Sequence, residues 1–415
     1  MSRSAASSSA TAANRLPPEA RRLVGSLWTG CDVVEGDIGH HPARQPIATF
    51  TVLPNLRHPR LLVPTKTGRA AGAALRQYND GMTQLARIRK AAIGTAFGVG
   101  LGRLAGNRLH LIPGADPTTA SLLAGKLEEL FGERRLEIAV FFGEQHRPNR
   151  KPVLQVMTER GDVLGYVKVG WNALTKRLVA NEADALRSMA GSPPATFRVP
   201  RLLGEIAVGD LRVTVVSPFP HSLLRRGTLG AIPPEATREV ALRLGTDTHT
   251  LTGSDYEREL RRRIASVPDA GRRTDLSALF DLVRSTDAET VLTFGSWHGD
   301  WTPWNMSRTR SGLVVWDWER SGGPVPVGLD AVHHRFQVRW RGGRESVAAA
   351  ASVARTESNG TLLRLGVSEA NHEVLLRLYL LELMFRFEEG RDAGGAPSPR
   401  SIEIERALRT RLASR

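Results

Sequence analysis

The sequence predicts an α+β protein, because strand-like and helix-like patterns occupy different parts of the chain. Short apolar runs typical of strands lie at 48–53, 163–169 and 211–216. Longer segments at 235–251 and 375–387 have apolar residues at the spacing of helices. With 415 residues, of which 41% are hydrophobic, the chain can build cores for two or three domains.

Composition narrows the class of protein further. The single cysteine, Cys31, excludes an internal disulfide and a cysteine-cluster zinc site, and it fits a reducing cytoplasm. No apolar run reaches the length of a membrane span. Residues 1–14 are rich in Ser and Ala without a continuous apolar core, so we predict a disordered start, over 1–20, in place of a signal peptide. We therefore expect a cytoplasmic protein.

Polar side chains that suit phosphoryl transfer follow two short apolar strands. The first strand leads into His298-Gly299-Asp300 and on to Asn305, and the second ends at Asp317. Phosphoryl transfer depends on positioning a hydroxyl and neutralising phosphate charge. Asp300 is placed to accept or orient the hydroxyl proton. Asn305 and Asp317 offer the hard oxygen ligands that Mg²⁺ prefers.

These residues resemble the aminoglycoside phosphotransferase and choline kinase group, relatives of the protein kinases. The resemblance rests on 298–305, on Asp317-Trp318-Glu319 and on Gly328-Leu329-Asp330, and it covers roughly residues 131–390. It implies a bilobal protein kinase-like fold with a small antiparallel-sheet N-lobe and a mainly helical C-lobe. It also implies ATP and Mg²⁺ as cofactors, with Asp300 as catalytic base. His298 and Asp330 are implied to brace the catalytic loop.

A kinase also needs a lysine for the nucleotide phosphates and a glutamate that holds this lysine. Lys168 is the one lysine in the apolar strand 163–169. Glu182 follows fourteen residues later, within the apolar stripe of a predicted helix. Because a buried carboxylate without a partner is costly, we predict that Glu182 pairs with Lys168.

The nucleotide base is expected at a hinge. The hinge is predicted at Ser217-Pro218-Phe219-Pro220, where two prolines end a strand and stiffen the chain. Recognition of adenine by hinge backbone, around Ser217 and Phe219, is implied by the resemblance. The loop at 143–150 is expected to cover the phosphates, although it has a single glycine. The predicted domains are an N-terminal extension at 21–130, an N-lobe at 131–220 and a C-lobe at 221–415.

The N-terminal extension is strongly basic. It contains two predicted strands, 48–53 and 60–63, and a helix that follows from Leu75. Between residues 57 and 108 there are ten Lys or Arg and one acid, Asp80, in a chain of formal net charge +15. We favour an arginine-coated helix that packs on the small lobe. The alternative is a cationic face that docks on an anionic membrane surface or anionic polymer. Nucleic acid is not expected, because no aromatic stacking series is present.

The predicted function is ATP-dependent transfer of a phosphoryl group to a hydroxyl of a small molecule of the amino sugar, sugar or amino alcohol type. One alternative is a catalytically silent kinase-like scaffold. Another is a membrane-surface kinase that acts on a glycolipid or saccharide precursor. Glu382, Glu388 and Glu389 lie where several family members place acids that meet substrate amino groups. We favour a charged helix end on the surface, and do not infer an aminoglycoside.

Overall fold

The structure, a computed structural model, describes residues 15–36, 38, 45–77, 92–100, 107–114, 122–142, 151–219, 231–309, 312–341, 345–394 and 398–413. The chain divides into two units. The first comprises Met1–Val179 and Arg201–His221, and the second comprises Ala180–Pro200 and Ser222–Arg415. The predicted α+β class is confirmed, because strands dominate the first unit and helices the second.

One antiparallel sheet organises the first unit. Its strands are β1 (Cys31–Glu35), β2 (Ala48–Leu53), β3 (Leu61–Pro64), β4 (Arg108–Pro113), β5 (Glu137–Phe141), β6 (Val153–Met157) and β7 (Val163–Gly170), and after β8 (Phe197–Arg198) of the second unit come β9 (Leu202–Val208) and β10 (Leu211–Val216). The order across the sheet is β1-β4-β2-β3-β5-β6-β7-β10-β9.

This sheet continues across residue 130, where the sequence predicts a domain boundary. Leu61 and Leu62 of β3 pair with Phe141 and Val140 of β5. The N-terminal strands and the strands of the predicted N-lobe therefore form one sheet, in which backbone hydrogen bonds continue across the expected boundary. The N-terminal extension belongs to the same unit as the N-lobe.

Helices cover parts of this sheet. They are α1 (Pro18–Leu27), α2 (Gly68–Gln77), α3 (Leu122–Phe131) and the first part of α4 (Ala173–Gly191). Helix α1 begins inside the predicted disordered segment 1–20, and its Ala20 is buried in a core with strand residues. The prediction of disorder is therefore wrong for residues 18–20, because the apolar face of α1 packs on the sheet, and residues 1–14 lie outside the described residues. The buried alanines of α2 pack against β3 and β5, and the predicted continuation at 78–91 lies outside the described residues.

The second unit has short strands and eight further helices among its described residues. The strands are β8, β11 (Asp247–Thr250), β12 (Val291–Trp297), β13 (Met306–Thr309), β14 (Gly312–Val315) and β15 (Gly322–Pro326). The helices are α5 (Pro234–Leu242), α6 (Asp255–Ala265), α7 (Ala270–Thr286), α8 (Leu329–Trp340), α9 (Val347–Glu357), α10 (Asn359–Arg364), α11 (His372–Asp392) and α12 (Pro399–Ala413). These strands form two three-stranded sheets, with the orders β11-β12-β15 and β13-β14-β8.

Two predicted helices can be compared with this unit. The helix expected over 235–251 is wrong in its second half, because α5 ends at Leu242 and β11 begins at Asp247. Gly245, with φ of 81°, turns the chain between them, a conformation that favours glycine. The helix expected over 375–387 is confirmed as the middle of α11, which is mostly buried. None of the described helices has the length and apolar character needed to cross a membrane.

Candidate active site

The predicted catalytic loop leaves the end of β12 through a sharp turn. Strand β12 ends at Trp297, and Gly299 has φ of 79°. A Cβ atom on Gly299 would lie 2.3 Å from the backbone oxygen of Arg320. Glycine is therefore required for conformation and for space, and the turn directs the next residue, Asp300, out of the strand.

Both carboxylate oxygens of Asp300 are held by side chains. His333 Nε2 donates to Oδ1 at 2.9 Å, and Asn305 Nδ2 donates to Oδ2 at 2.7 Å. Burial raises the pKa of Asp300, but the hydrogen bond from His333 and the charge of Arg386 lower this pKa more and hold it below its usual value. Asp300 is therefore ionised at neutral pH and fixed in orientation.

His298 lies behind the loop and holds its backbone. Its ring is 4.4 Å from the Trp318 ring and 5.5 Å from the Trp301 ring, measured between centroids. Nδ1 accepts from the backbone N–H of Asp300 at 3.1 Å, which leaves Nε2–H to donate to the Trp316 oxygen at 3.1 Å. Burial lowers the pKa of His298 to about 4, so the ring is neutral. These contacts make His298 a positioning residue.

Asp330 holds the same loop from helix α8. Its carboxylate accepts the backbone N–H groups of His298 at 2.7 Å and of Gly299 at 3.0 Å. Burial raises the pKa of Asp330 to about 7, although these two hydrogen bonds act in the opposite direction. The contacts are those expected of a residue that braces the loop.

Three carboxylates come together next to the second predicted strand end. Asp317 follows β14 and has φ of 69°, which is uncommon for a residue other than glycine and is often found at functional sites. Oxygens of Glu182, Asp317 and Glu319 lie within 4.8 Å of one another. Asn181 Nδ2 donates to the backbone oxygens of Glu319 and Ser321, at 3.0 and 2.8 Å, and so holds this segment beside Glu182.

This group fits a magnesium ion chemically. Carboxylate oxygens are the hard ligands that Mg²⁺ prefers, and closely spaced carboxylates favour a cation. Glu182 and Glu319 are 0% and 6% exposed, whereas Asp317 is partly exposed. Asn305, the other predicted ligand, uses its Nδ2 on Asp300, so its Oδ1 is outside those hydrogen bonds.

The predicted nucleotide residues lie in the first unit, except for Glu182. Lys168 is on β7, where it pairs with Val153 of β6 and Thr214 of β10. Its side chain is on the face of the sheet opposite that of Val167 and Val169, which are buried. Ser217 follows β10, and its Oγ accepts from the backbone N–H of Arg201 at 3.0 Å. Phe219 is partly exposed. Because Lys168 and Glu182 belong to different units, their pairing stays a prediction. Pro220 and the phosphate loop 143–150 lie outside the described residues.

Sequence reasoning missed two residues that contact the loop, His333 and Arg386, and a third, Tyr379, that contacts His333. His333, already described at Asp300, accepts at Nδ1 from the Tyr379 hydroxyl at 3.1 Å. Arg386 donates to the Gly299 oxygen at 2.5 Å. For His333 there was a signal, because it lies one helical turn after Asp330 and therefore on the same face of α8.

The acids of helix α11 require a correction to the sequence prediction. We predicted that these acids form a charged helix end on the surface, but Glu382 and Glu388 are only 2% and 4% exposed. Glu382 pairs with Arg263 at 2.8 Å, and Glu388 pairs with Arg272 at 2.9 Å. The surface prediction is wrong, because arginines from α6 and α7 neutralise these acids and allow their burial.

Comparisons with known proteins give solved structures of the family that the motifs resemble. No protein-family model and no curated protein matches the sequence. The similar structures include choline kinase LicA from Streptococcus pneumoniae with AMP, at 14% identity and a TM-score of 0.47, covering 71% of this chain and 97% of that chain. Aminoglycoside phosphotransferase APH(4)-Ia, a thermostable mutant in apo form, has 12% identity and a TM-score of 0.45, covering 69% and 97%. Aminoglycoside phosphotransferase APH(3'')-Id from Streptomyces rimosus, with ADP and streptomycin, has 15% identity and a TM-score of 0.34, covering 55% and 90%.

Proposed function

We propose that this protein is an ATP-dependent phosphotransferase that transfers the γ-phosphoryl group of ATP to a hydroxyl of a small molecule. The observation that carries the proposal is the state of Asp300. Its carboxylate is ionised, oriented at both oxygens and partly exposed, in the same unit as the carboxylate group around Asp317. A fixed anionic acceptor next to a candidate cation site is what transfer to an alcohol requires.

The role of Asp300 follows from its low pKa. A carboxylate of low pKa is a weak base, so Asp300 orients the hydroxyl by accepting its hydrogen bond and takes the proton late in the reaction. This suits phosphoryl transfer, whose loose transition state needs little proton removal beforehand. His333 and Asn305 keep the carboxylate in one orientation, and a positioned nucleophile lowers the entropy cost of reaction.

Asp317 and Asn305 are the residues that we assign to Mg²⁺, with Glu319 beside them. When bound, the ion supplies charge neutralisation for the phosphates. Lys168 is assigned to the α and β phosphates. Ser217 and Phe219 are assigned to the hinge at the base, as the sequence resemblance implies. The buried Glu182 either orients Lys168 or adds to the charge that holds the ion.

A thermal-shift titration with ATP and Mg²⁺ tests the proposal. The wild-type protein should gain about 2.7 kcal/mol of stability at a ligand concentration one hundred times Kd. Asp317→Asn should lose the part of this gain that depends on Mg²⁺. Asp300→Asn should keep the gain but lose turnover by about 10²-fold or more. Asp247→Asn, at a side chain that is 78% exposed, serves as the matched control and should behave as wild type.

Two outcomes would favour the alternatives. If ATP with Mg²⁺ does not stabilise the wild-type protein, a scaffold role replaces the proposal. Salt-sensitive binding to anionic vesicles would support the membrane-surface kinase. That experiment needs the full chain, because residues 21–130 share the sheet of the first unit with the strands that follow them.

A further inference from the structure

Three arginines from different segments meet at helix α11, and one of them contacts the predicted catalytic loop. Arg263 is in the last turn of α6, Arg320 follows Asp317 by three residues, and Arg386 is in α11. We refer to Arg263, Arg320 and Arg386 as the arginine cluster. Its members are close enough that the charge of Arg320 lowers the pKa of Arg386, after the larger effect of burial.

Two glutamates of α11 neutralise two members of this cluster. Glu382, which is buried, accepts from Arg263 at 2.8 Å. Glu389 lies between the other charges, with oxygens 3.6 Å from Arg263 and 3.4 Å from Arg320. Both acids are therefore already engaged with guanidinium groups of this chain, and an incoming ammonium group would have to compete with these arginines.

Among the described residues Arg386 has no carboxylate in direct contact, although the charges of Asp300 and Glu382 act on it. Within the described part of the chain it makes no ion pair, and its contacts are the Gly299 oxygen and the Trp297 ring, whose centroid is 5.1 Å from its Cζ. It is partly buried. Its guanidinium has N–H groups beyond the one that donates to the Gly299 oxygen, and such groups bind carboxylate or phosphate well.

We infer that Arg386 binds an anionic group, a phosphate or a carboxylate, on the acceptor whose hydroxyl Asp300 orients. The inference rests on the proposed function and adds the class of substrate. Arg386 contacts Gly299, the residue before Asp300, so a ligand at its free N–H groups lies beside the oriented carboxylate. A guanidinium with N–H groups outside these contacts favours an anionic alcohol, such as a sugar phosphate or sugar acid, over a cationic amino alcohol.

Four three-carbon alcohols that differ mainly in charge test this inference. They are glycerol 3-phosphate, glycerate, glycerol and 3-amino-1,2-propanediol. Binding of each to the full-length protein is measured by thermal shift at constant ionic strength, with saturating Mg²⁺ and a non-hydrolysable ATP analogue. We expect at least one anion to bind about tenfold or more tightly than glycerol, and the amine to bind worst. Comparing the two anions distinguishes phosphate from carboxylate.

Arg386→Gln removes the charge and keeps an N–H donor for the Gly299 oxygen. It should weaken binding of the preferred anion by roughly tenfold to a hundredfold more than it weakens binding of glycerol. Arg258→Gln, at a 65% exposed arginine of the same unit, is the control and should bind as wild type. Equal anion binding by wild type and Arg386→Gln overturns the inference. If Arg386→Gln does not fold, the order of affinities of the wild-type protein for the four alcohols decides whether the inference holds.

Failure of this inference differs from failure of the proposed function. Turnover, measured as ADP formation with each alcohol, tests the phosphotransferase. Transfer to glycerol or the amine in preference to both anions would retain the function and overturn the substrate class. Absence of nucleotide binding and turnover would overturn the function, and the binding order without nucleotide would still decide whether Arg386 is an anion site.

Discussion

Replacing His298 by glutamine should change how the stability of the second unit depends on pH. Glutamine can accept from the Asp300 N–H and donate to the Trp316 oxygen, as the imidazole does. It cannot be protonated near neutral pH. His298→Gln therefore removes the titration of this position while keeping its two hydrogen bonds.

The magnitude follows from the pKa of His298, which burial lowers from 6.5 to about 4. Between these values the unfolded chain binds a proton at this position and the folded protein does not, so stability falls as pH falls from 6.5 to 4. At pH 5 the loss relative to pH 7.5 is about 2 kcal/mol. Asp330, with a pKa raised to about 7, has the opposite sign: its contribution weakens as pH rises from 4 to 7. Asp330 is present in both wild type and His298→Gln, so the difference between their changes in stability with pH comes from His298.

Urea unfolding at pH 7.5 and pH 5.0, followed by tryptophan fluorescence, measures this difference. Of the eight tryptophans only Trp28 and Trp171 lie in the first unit, so the signal reports mainly on the second. On going to pH 5.0, His298→Gln should lose about 2 kcal/mol less than wild type. The exposed His58→Gln is the control and should follow wild type. If His298→Gln and wild type change equally with pH, the imidazole is not held neutral as argued.

Two other changes test the loop. Gly299→Ala should lower stability by about 1–3 kcal/mol from backbone strain alone, with a further loss from the clash with Arg320, and it should abolish turnover. Urea unfolding measures the loss of stability, with Gly253→Ala as the control because Gly253 has φ of 81° and open space around it. An equal loss of stability in both variants would contradict the clash. His333→Leu should raise the pKa of Asp300, because a hydrogen bond that lowers it is lost, and so move the acid limb of the turnover profile to higher pH. An unmoved acid limb would show that His333 does not control Asp300.

The parts of the site that sequence reasoning found are those with a local signal. Asp300 and Asp317 each follow a short apolar run, which the structure describes as β12 and β14. A polar residue directly after a buried strand stands out within a few positions of sequence. The α+β class was predictable for the same reason, since strand and helix periods are local. The helix expected over 235–251 failed where Gly245 turns the chain, although a glycine is itself a turn signal.

The supporting residues have no such signal. His333 is 33 residues from Asp300, and Arg386 is 87 residues from Gly299, so each contact is set by tertiary packing. The strand pairing across residue 130 had no local signal for a related reason. Pairing between β3 and β5 joins strands that are far apart in sequence, and backbone pairing of this kind carries no distinctive residue pattern.

Helix α11 explains why these distant residues act together. Tyr379 and Arg386 are seven residues apart and therefore lie on one face of the helix. Tyr379 reaches Asp300 through His333, and Arg386 reaches the preceding residue, Gly299. One buried helix thus supports the predicted catalytic loop at two successive residues, through a neutral hydrogen-bond chain and through a cation. A displacement of α11 by substitutions in its core would move both supports at once, and would lower turnover without touching Asp300.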